Sequence, residues 1–237
     1  MIQFYAPDIK LTRTLPESDS GHCVRVLRKQ AGDLIEVIDG RGERMTCRIL
    51  DPHPKKTVVE IIDTVTVEPT WRQSITIAVA PTKHLDRMEW MVEKLTEIGV
   101  NRIIPLLCHH SERKEIKTER LEKIAVSAMK QSLKAVLPEI TPMTPMAEVL
   151  KHYQGQKRFI AYCDREIPRR LFAREYLPGN DTVILIGPEG DFSREEITGA
   201  LDSGFIPVSL GDNRLRTETA AVVACDTCHI IDQLKLT

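Results

Sequence analysis

The chain has 237 residues, 42% of them hydrophobic, and its 33 Lys and Arg nearly cancel its 34 Asp and Glu to leave a formal net charge of -1. That length buries one large core or two modest ones, and that balance excludes a uniformly basic nucleic-acid coat, so any RNA contact must come from local clusters. No run approaches the about 18 consecutive apolar residues of a membrane span.

From the start to about Thr70 the pattern is short and β-like. Leu34–Asp39 alternates in part, Asp39-Gly-Arg-Gly42 reads as a turn, and Met45–Leu50 reads as the returning strand. Asp51-Pro-His-Pro54 breaks the run, and Thr57–Val67 is rich in β-branched residues that favour a pleated strand. Residues 1–70 therefore predict a small barrel, with Glu68-Pro-Thr70 as the junction to a second domain at 71–237.

Beyond the junction the rhythm becomes strand, helix, strand. Ser74–Ala80 predicts a buried strand. His84–Ile98 predicts a helix with Leu85, Met88, Met91, Val92, Leu95 and Ile98 on one face and Gly99 at its carboxyl cap. Arg102–Leu107 is a further strand in which Pro105 marks an edge or a break. Thr118 caps a long helix that ends before Pro138. Arg158–Tyr162, Thr182–Ile186 and Phe205–Leu210 predict three more strands, Ser193-x-x-Glu196 is a capping box, and Thr217–Leu234 predicts the last helix. Strands alternating with helices imply a parallel sheet covered on both faces.

In such sheets ligands bind beyond the carboxyl ends of the strands. Two loops at those ends are unusual. In Leu185-Ile-Gly-Pro-Glu-Gly190, the glycines permit dihedrals and close approaches that a Cβ forbids, and Pro188 fixes its own φ. Such a turn offers backbone N–H and C=O groups to an adenine edge or a ribose; it also reads as an ordinary strand-to-helix turn. It is not the Gly-x-Gly-x-x-Gly dinucleotide fingerprint. The second loop, Leu210-Gly-Asp-Asn-Arg-Leu-Arg-Thr-Glu-Thr-Ala220, leads into the last helix, whose free N–H groups face whatever lies past Gly211. Arg214, Arg216 and Glu218 crowd this entry, and Thr217 or Thr219 is a candidate cap.

Taken together, Leu-Ile-Gly-Pro-Glu-Gly and Ser-Leu-Gly-x-x-x-Leu-Arg-Thr-Glu-Thr-Ala resemble the two cofactor motifs of the SPOUT methyltransferases, and most of all those of the small-subunit ribosomal RNA uridine-N3 enzymes. Three other stretches resemble that family in the same order. They are His22-x-x-x-Val26-Leu-Arg28 with Gly32-Asp33, the run from Lys83 through Arg87, Trp90, Glu93 and Glu97 to Val100, and Gln131-Ser132 with Leu137-Pro138. Where the family has Gly-Arg after Gln131-Ser132, this chain has Leu133-Lys134, which keeps the charge but loses the planar fork that grips phosphate.

The resemblance implies an α/β SPOUT trefoil-knot domain with a five- to six-stranded parallel sheet, preceded by a PUA-like β-barrel. Such a knot is an exception to the rule that chains do not thread loops. It also implies a homodimer, S-adenosyl-L-methionine as cofactor, and methylation of uridine N3 in 16S ribosomal RNA. By the same resemblance, Leu185, Ile186, Gly187, Pro188, Glu189, Gly190, Leu210, Gly211, Asn213, Leu215, Arg216, Thr217, Thr219 and Ala220 hold the cofactor. Uridine N3 is a poor nucleophile until it loses its proton, so the site needs a group that stabilises the anion and a proton acceptor. Arg216 is expected in the first role and Glu218 or a water in the second; Glu189 is a rival to Glu218 that also reads as a loop brace.

RNA contacts are expected at His22, Arg25, Arg28, Lys29, Arg113 and Lys134, although the interleaved acids also suit a solvated face. Cys225-Asp-Thr-Cys-His229 matches a haem-attachment pattern but sits inside a predicted helix, and it lacks the second ligand pair of a zinc site. His109-His110 reads as a solvent-facing loop pair, and Trp71 and Trp90 as packing residues. Six scattered cysteines suggest reduced thiols. With neither a basic leader nor a cleavage site at Met1–Asp8, the expectation is a cytoplasmic protein with no metal and no membrane partner. Two other readings remain open: a SPOUT enzyme acting on transfer RNA or on a ribose 2′-hydroxyl, and a non-catalytic RNA-binding assembly protein. A nicotinamide oxidoreductase would need a glycine-rich turn after the first α/β strand, where Ala80-Pro-Thr-Lys83 stands instead.

Overall fold

The structure, a computed structural model, describes residues 2–69, 73–153, 156–164 and 166–235. The chain divides into two compact units, residues 1–70 with 126–137, and residues 71–125 with 138–237. The first comprises β1 (Gln3–Tyr5), α1 (Ile9–Thr12), α2 (Glu17–Gly21), a π-helical turn at His22–Val26, β2 (Leu34–Ile38), β3 (Glu43–Asp51) and β4 (Val58–Thr66). Its sheet runs β1-β2-β3-β4, with β1 parallel to β2 and the other pairs antiparallel. Period-two burial carries this sheet. Met45, Cys47 and Ile49 of β3 turn inward beside Phe4, Ile35, Val37 and Val59, while Arg48 and Leu50 face out. The turn between β2 and β3 is pinned by buried Asp39, whose Oδ1 accepts from the N–H groups of Arg41 at 2.8 Å and Glu43 at 3.0 Å.

The second unit runs β5 (Ile75–Val79), α3 (Leu85–Ile98), β6 (Arg102–Leu107), the start of α4 (Thr118–Gln131), β7 (Glu139–Ile140), β8 (Thr144–Pro145), α5 (Met146–His152), β9 (Lys157–Ala161), β10 (Arg170–Leu171), α6 (Phe172–Glu175), β11 (Thr182–Ile186), α7 (Arg194–Asp202), β12 (Ile206–Ser209) and α8 (Thr217–Lys235). Every pairing in its sheet is parallel, in the order β10-β12-β9-β11-β5-β6-β7, and β8 pairs with β6 off that path. The five longer strands are the expected ones; three two-residue strands extend the sheet. All residues of β5 and β11 are buried, as central strands covered on both faces must be. Pro105 marks a break in pairing. Arg102 and Ile103 pair with β7 and Leu106 and Leu107 with β8, so the residue without an N–H falls between the two registers.

Met88, Met91, Val92 and Leu95 bury one face of α3, which ends at Gly99 with φ 122°. Trp90 does not pack as expected: it is 43% exposed on that helix. Trp71 lies outside the described residues. On α8, Ala221, Ala224, Cys225, Cys228 and Asp232 form one buried helical stripe. Cys225 and Cys228 are therefore core residues, and burial pushes the Cys228 thiol well up from its usual range.

A boundary at residue 70 does not anticipate the place of residues 126–137 in the first unit. Met129 and Ala135 are buried with Ile38, beside Tyr5, Val67 and Leu137, and Lys130 pairs with Asp19 at 2.5 Å. The segment is tied by Gly42 N–H to the Ala135 carbonyl at 3.0 Å and by Leu137 N–H to the Gly40 carbonyl at 2.9 Å. α4 ends at Gln131 rather than running on toward Pro138, because Lys134 N–H turns back to the Met129 carbonyl at 3.1 Å and Leu133 N–H to that of Lys130 at 3.4 Å. This double closure requires a left-handed residue at Leu133, whose φ is 58°. The family resemblance puts glycine here. A leucine carries a steric penalty of about 1 kcal/mol in that region. Leu133→Gly should accordingly raise the stability of the chain by up to about 1 kcal/mol, read as a higher midpoint in thermal or urea unfolding.

Candidate cofactor site

The site of the second unit is built at the carboxyl ends of β9, β11 and β12. Ala161–Cys163 and Arg169, Ile186–Asp191, Val208–Gly211, Asn213–Thr217 and Ala220 line one cavity of about 390 Å³. That volume falls in the about 300–1,000 Å³ range of small-molecule sites. Ile186, Val208, Leu210, Leu215 and Ala220 give it apolar surface, and the turn at Gly187–Gly190 gives it backbone polar groups. The two loops singled out in the sequence thus meet. The contact between them is specific: the hydroxyl of Thr217, 5% exposed, donates to the carbonyl of Gly187 at 3.0 Å. Thr217 is therefore a loop-to-loop tie rather than a helix cap, and Ala220 N–H closes the first turn of α8 on the Arg216 carbonyl at 2.8 Å.

Other loops fix the Gly187–Asp191 turn from outside. Lys83 N–H donates to Glu189 Oε1 at 3.1 Å, and Arg113 grips the Lys83 carbonyl with Nε at 3.1 Å and Nη2 at 2.9 Å. Glu189 thus braces a loop while it lines the cavity. Asp191 accepts from Cys163 N–H at 2.8 Å and from Phe192 N–H at 2.9 Å, with its own φ at 64°. Its carbonyl lies 3.1 Å from His110 Nδ1, and His109 N–H donates to Glu196 Oε1 at 2.7 Å. At Gly187 the need is for space rather than a special dihedral. A Cβ there would stand 3.0 Å from the Phe192 ring, a contact tighter than most real side chains show. Gly211 does occupy the glycine region, with φ 125°.

Among the residues chosen from sequence, Ile186, Gly187, Pro188, Glu189, Gly190, Leu210, Gly211, Asn213, Leu215, Arg216, Thr217 and Ala220 line the cavity, and Leu185 and Thr219 do not. Leu185 is fully buried in β11. Glu218 is also off the cavity wall: it is 6% exposed, and its Oε1 lies 3.8 Å from Arg87 Nη1 of α3. Ala161, Tyr162, Cys163, Arg169, Asp191, Val208, Ser209 and Arg214 line the cavity without having been selected. The strand-end rule reaches Ala161–Cys163 once β9 is known to lie between β11 and β12, an order that a lone sequence does not reveal. Arg169 carries no sequence signal. Among the described residues no group of three or more His, Cys, Asp or Glu is placed to hold a metal.

The candidate RNA residues fall in both units. His22, Arg25 and Arg28 are exposed on or just after the π-helical turn, and Lys29 is half-buried beside them. Arg28 adopts a φ of 54°, and both a π-turn and a left-handed non-glycine residue recur at functional sites. Lys134 belongs to the same unit and Arg113 to the other, where it is engaged with Lys83.

Known proteins share this organisation. A family model described as "RNA methyltransferase domain" matches residues 69–229, and one described as "RNA methyltransferase PUA domain" matches residues 15–62. The chain belongs to the RNA methyltransferase family. The crystal structure of a "probable rRNA-methyltransferase" from Porphyromonas gingivalis is 47% identical to it, with a TM-score of 0.95 over 99% of this chain and 100% of the other. A ribosomal RNA small subunit methyltransferase E from Neisseria gonorrhoeae, bound to S-adenosyl methionine, is 26% identical with a TM-score of 0.82 over 98% of each chain. A Rickettsia conorii protein of the same name is 28% identical over 200 residues, 84% of this chain and 81% of the relative. The expected class, an α/β methyltransferase domain behind a PUA-like domain, holds for this methyltransferase.

Because Thr217 ties the two loops, Thr217→Val should leave the buried Gly187 carbonyl without its donor at similar side-chain volume. The expected cost is about 1–3 kcal/mol in unfolding free energy, together with weaker S-adenosylmethionine binding in calorimetry.

Proposed function

We propose that this chain transfers the methyl group of S-adenosylmethionine to N3 of a uridine in small-subunit (16S) ribosomal RNA. The observation that carries the reading is the single cavity enclosed by both glycine-bearing loops, in a family whose solved relatives include one bound to that cofactor. Apolar surface from Ile186 and Val208 suits an adenine face, and the backbone of the Gly187–Gly190 turn suits its edge. When bound, the cofactor supplies a methyl on a positive sulfonium, so the electrophile needs no further activation by the protein. The chain's own residues bind it, exclude water and aim the nucleotide.

Arg216 is exposed at the cavity wall, at the entry to α8. Its guanidinium, a multiple N–H donor, stabilises negative charge on a uridine carbonyl oxygen as N3 loses its proton. Glu218 faces Arg87 and serves to hold α3 to the start of α8; the proton then leaves to water. His22, Arg25, Arg28, Lys29 and Lys134 bind the RNA backbone in the first unit. Arg113 contributes by fixing the loop at Lys83, whose side chain is exposed. Exposed apolar side chains on the two helices that pack together, Trp90 of α3 with Ile230 and Leu234 of α8, support a homodimer. Among the described residues no helix is long and apolar enough to cross a membrane, and the chain acts in the cytoplasm, where its RNA is.

Mass spectrometric mapping of 16S ribosomal RNA from a deletion strain, with and without the restored gene, tests the reaction. One uridine should lose its base methyl and regain it; a change confined to transfer RNA or to a ribose overturns the assignment. Arg216→Ala should lower turnover about a hundredfold or more with cofactor affinity held within a few-fold. Charge reversal at Arg25 and Arg28 should weaken RNA binding and flatten its salt dependence while leaving cofactor binding intact.

A further inference from the structure

Three arginines line the cavity, Arg169, Arg214 and Arg216, against two carboxylates, Glu189 and Asp191. Both carboxylates are engaged by backbone N–H groups: Glu189 by Lys83, Asp191 by Cys163 and Phe192. Among the described residues, no ion pair joins any of these arginines to an acid of the chain. Arg214 and Arg216 are exposed; Arg169 is half-buried. Arg169 is also held in place. One Nη1 hydrogen donates to the Tyr162 carbonyl, and the guanidinium lies over the Tyr162 ring, 5.6 Å from its centroid. Tyr162 is 4% exposed and belongs to the buried core of the unit, so the platform under the guanidinium is rigid. A guanidinium has five N–H donors, and the Tyr162 carbonyl takes one of them.

A fixed cation without an ion-pair partner among the described residues, in a wall whose arginines outnumber its carboxylates, is a liability for a ligand whose reactive centre is itself a cation. At the short range of a shared cavity, like charges repel unless an anion lies between them. S-adenosylmethionine carries that anion in its methionyl part, an α-carboxylate whose two oxygens match the flat fork of an arginine. We propose that Arg169 binds the α-carboxylate of the cofactor's methionyl moiety, seating the tail and cancelling a charge that would otherwise oppose the sulfonium. This rests on the cofactor reading given above.

Calorimetry with two ligands separates the possibilities. S-adenosylhomocysteine keeps the carboxylate, and 5′-methylthioadenosine lacks the whole amino-acid tail. In Arg169→Met, affinity for S-adenosylhomocysteine should fall about tenfold to a hundredfold, the loss expected for a charged hydrogen bond. Affinity for methylthioadenosine should stay within about twofold, which also reports an intact cavity, and Arg169→Lys should recover part of the loss. An equal fall for both ligands means that Arg169 only shapes the wall and overturns the proposal. Unchanged affinity for both overturns it too, as does a loss confined to RNA binding, which assigns the guanidinium to a phosphate. If the unaltered protein binds neither adenosyl compound, the cofactor reading itself fails.

Discussion

A hydroxyl-to-carbonyl bond from Thr217 to Gly187 joins two loops thirty positions apart, and the chemistry of the second unit hangs on it. That tie fixes the turn after β11 against the approach to α8. With it, they enclose a common space. The turn cannot drift on its other sides, because Lys83, Cys163 and His110 each bind a different part of it. Rigidity of this kind lets a cavity select one conformation of a bound molecule, since little freedom remains to be lost on binding.

The parallel sheet supplies the frame for that arrangement. β5, β9, β11 and β12 all point their carboxyl ends the same way, so the loops that follow them gather at one edge of the sheet. Burial of β5 and β11 at every position makes the frame stiff, and α8 packs against α3, β5 and β11. The three parts of the cavity wall that carry charge come from different stretches of chain: Arg169 after β9, Glu189 and Asp191 after β11, and Arg214 and Arg216 before α8.

Much of this was legible in the sequence, for identifiable reasons. The five long strands announce themselves through β-branched residues, α3 through its buried face, and the start of α7 through a capping box at Ser193 and Glu196 that the structure contains in full. The glycine-bearing loops were legible because their residues are unusual in themselves. What escaped depends on tertiary partners. Nothing in residues 126–137 shows that Met129 will be buried beside Ile38, or that a leucine at 133 will accept a left-handed backbone. Trp90 looked like a core residue because aromatic side chains bury large areas, yet its position on α3 turns it outward. Arg169 was invisible because its role depends on the ring of Tyr162, seven residues away across a strand end. Glu218 looked catalytic by proximity along the chain, but the helical turn rotates it away from Arg216 and toward α3.

The crowding at Gly187 also constrains how this sequence can change over time. Any side chain at that position meets the Phe192 ring, and Phe192 is itself 5% exposed within the core. A side chain at 187 therefore requires the Phe192 ring to give by a few tenths of an ångström, whereas a smaller residue at 192 would leave a void and lose packing. The two positions are thus coupled, because the space open to one side chain depends on the size of the other. Lineages of this protein are accordingly expected to hold the pair unchanged together, even where the surrounding loop diverges.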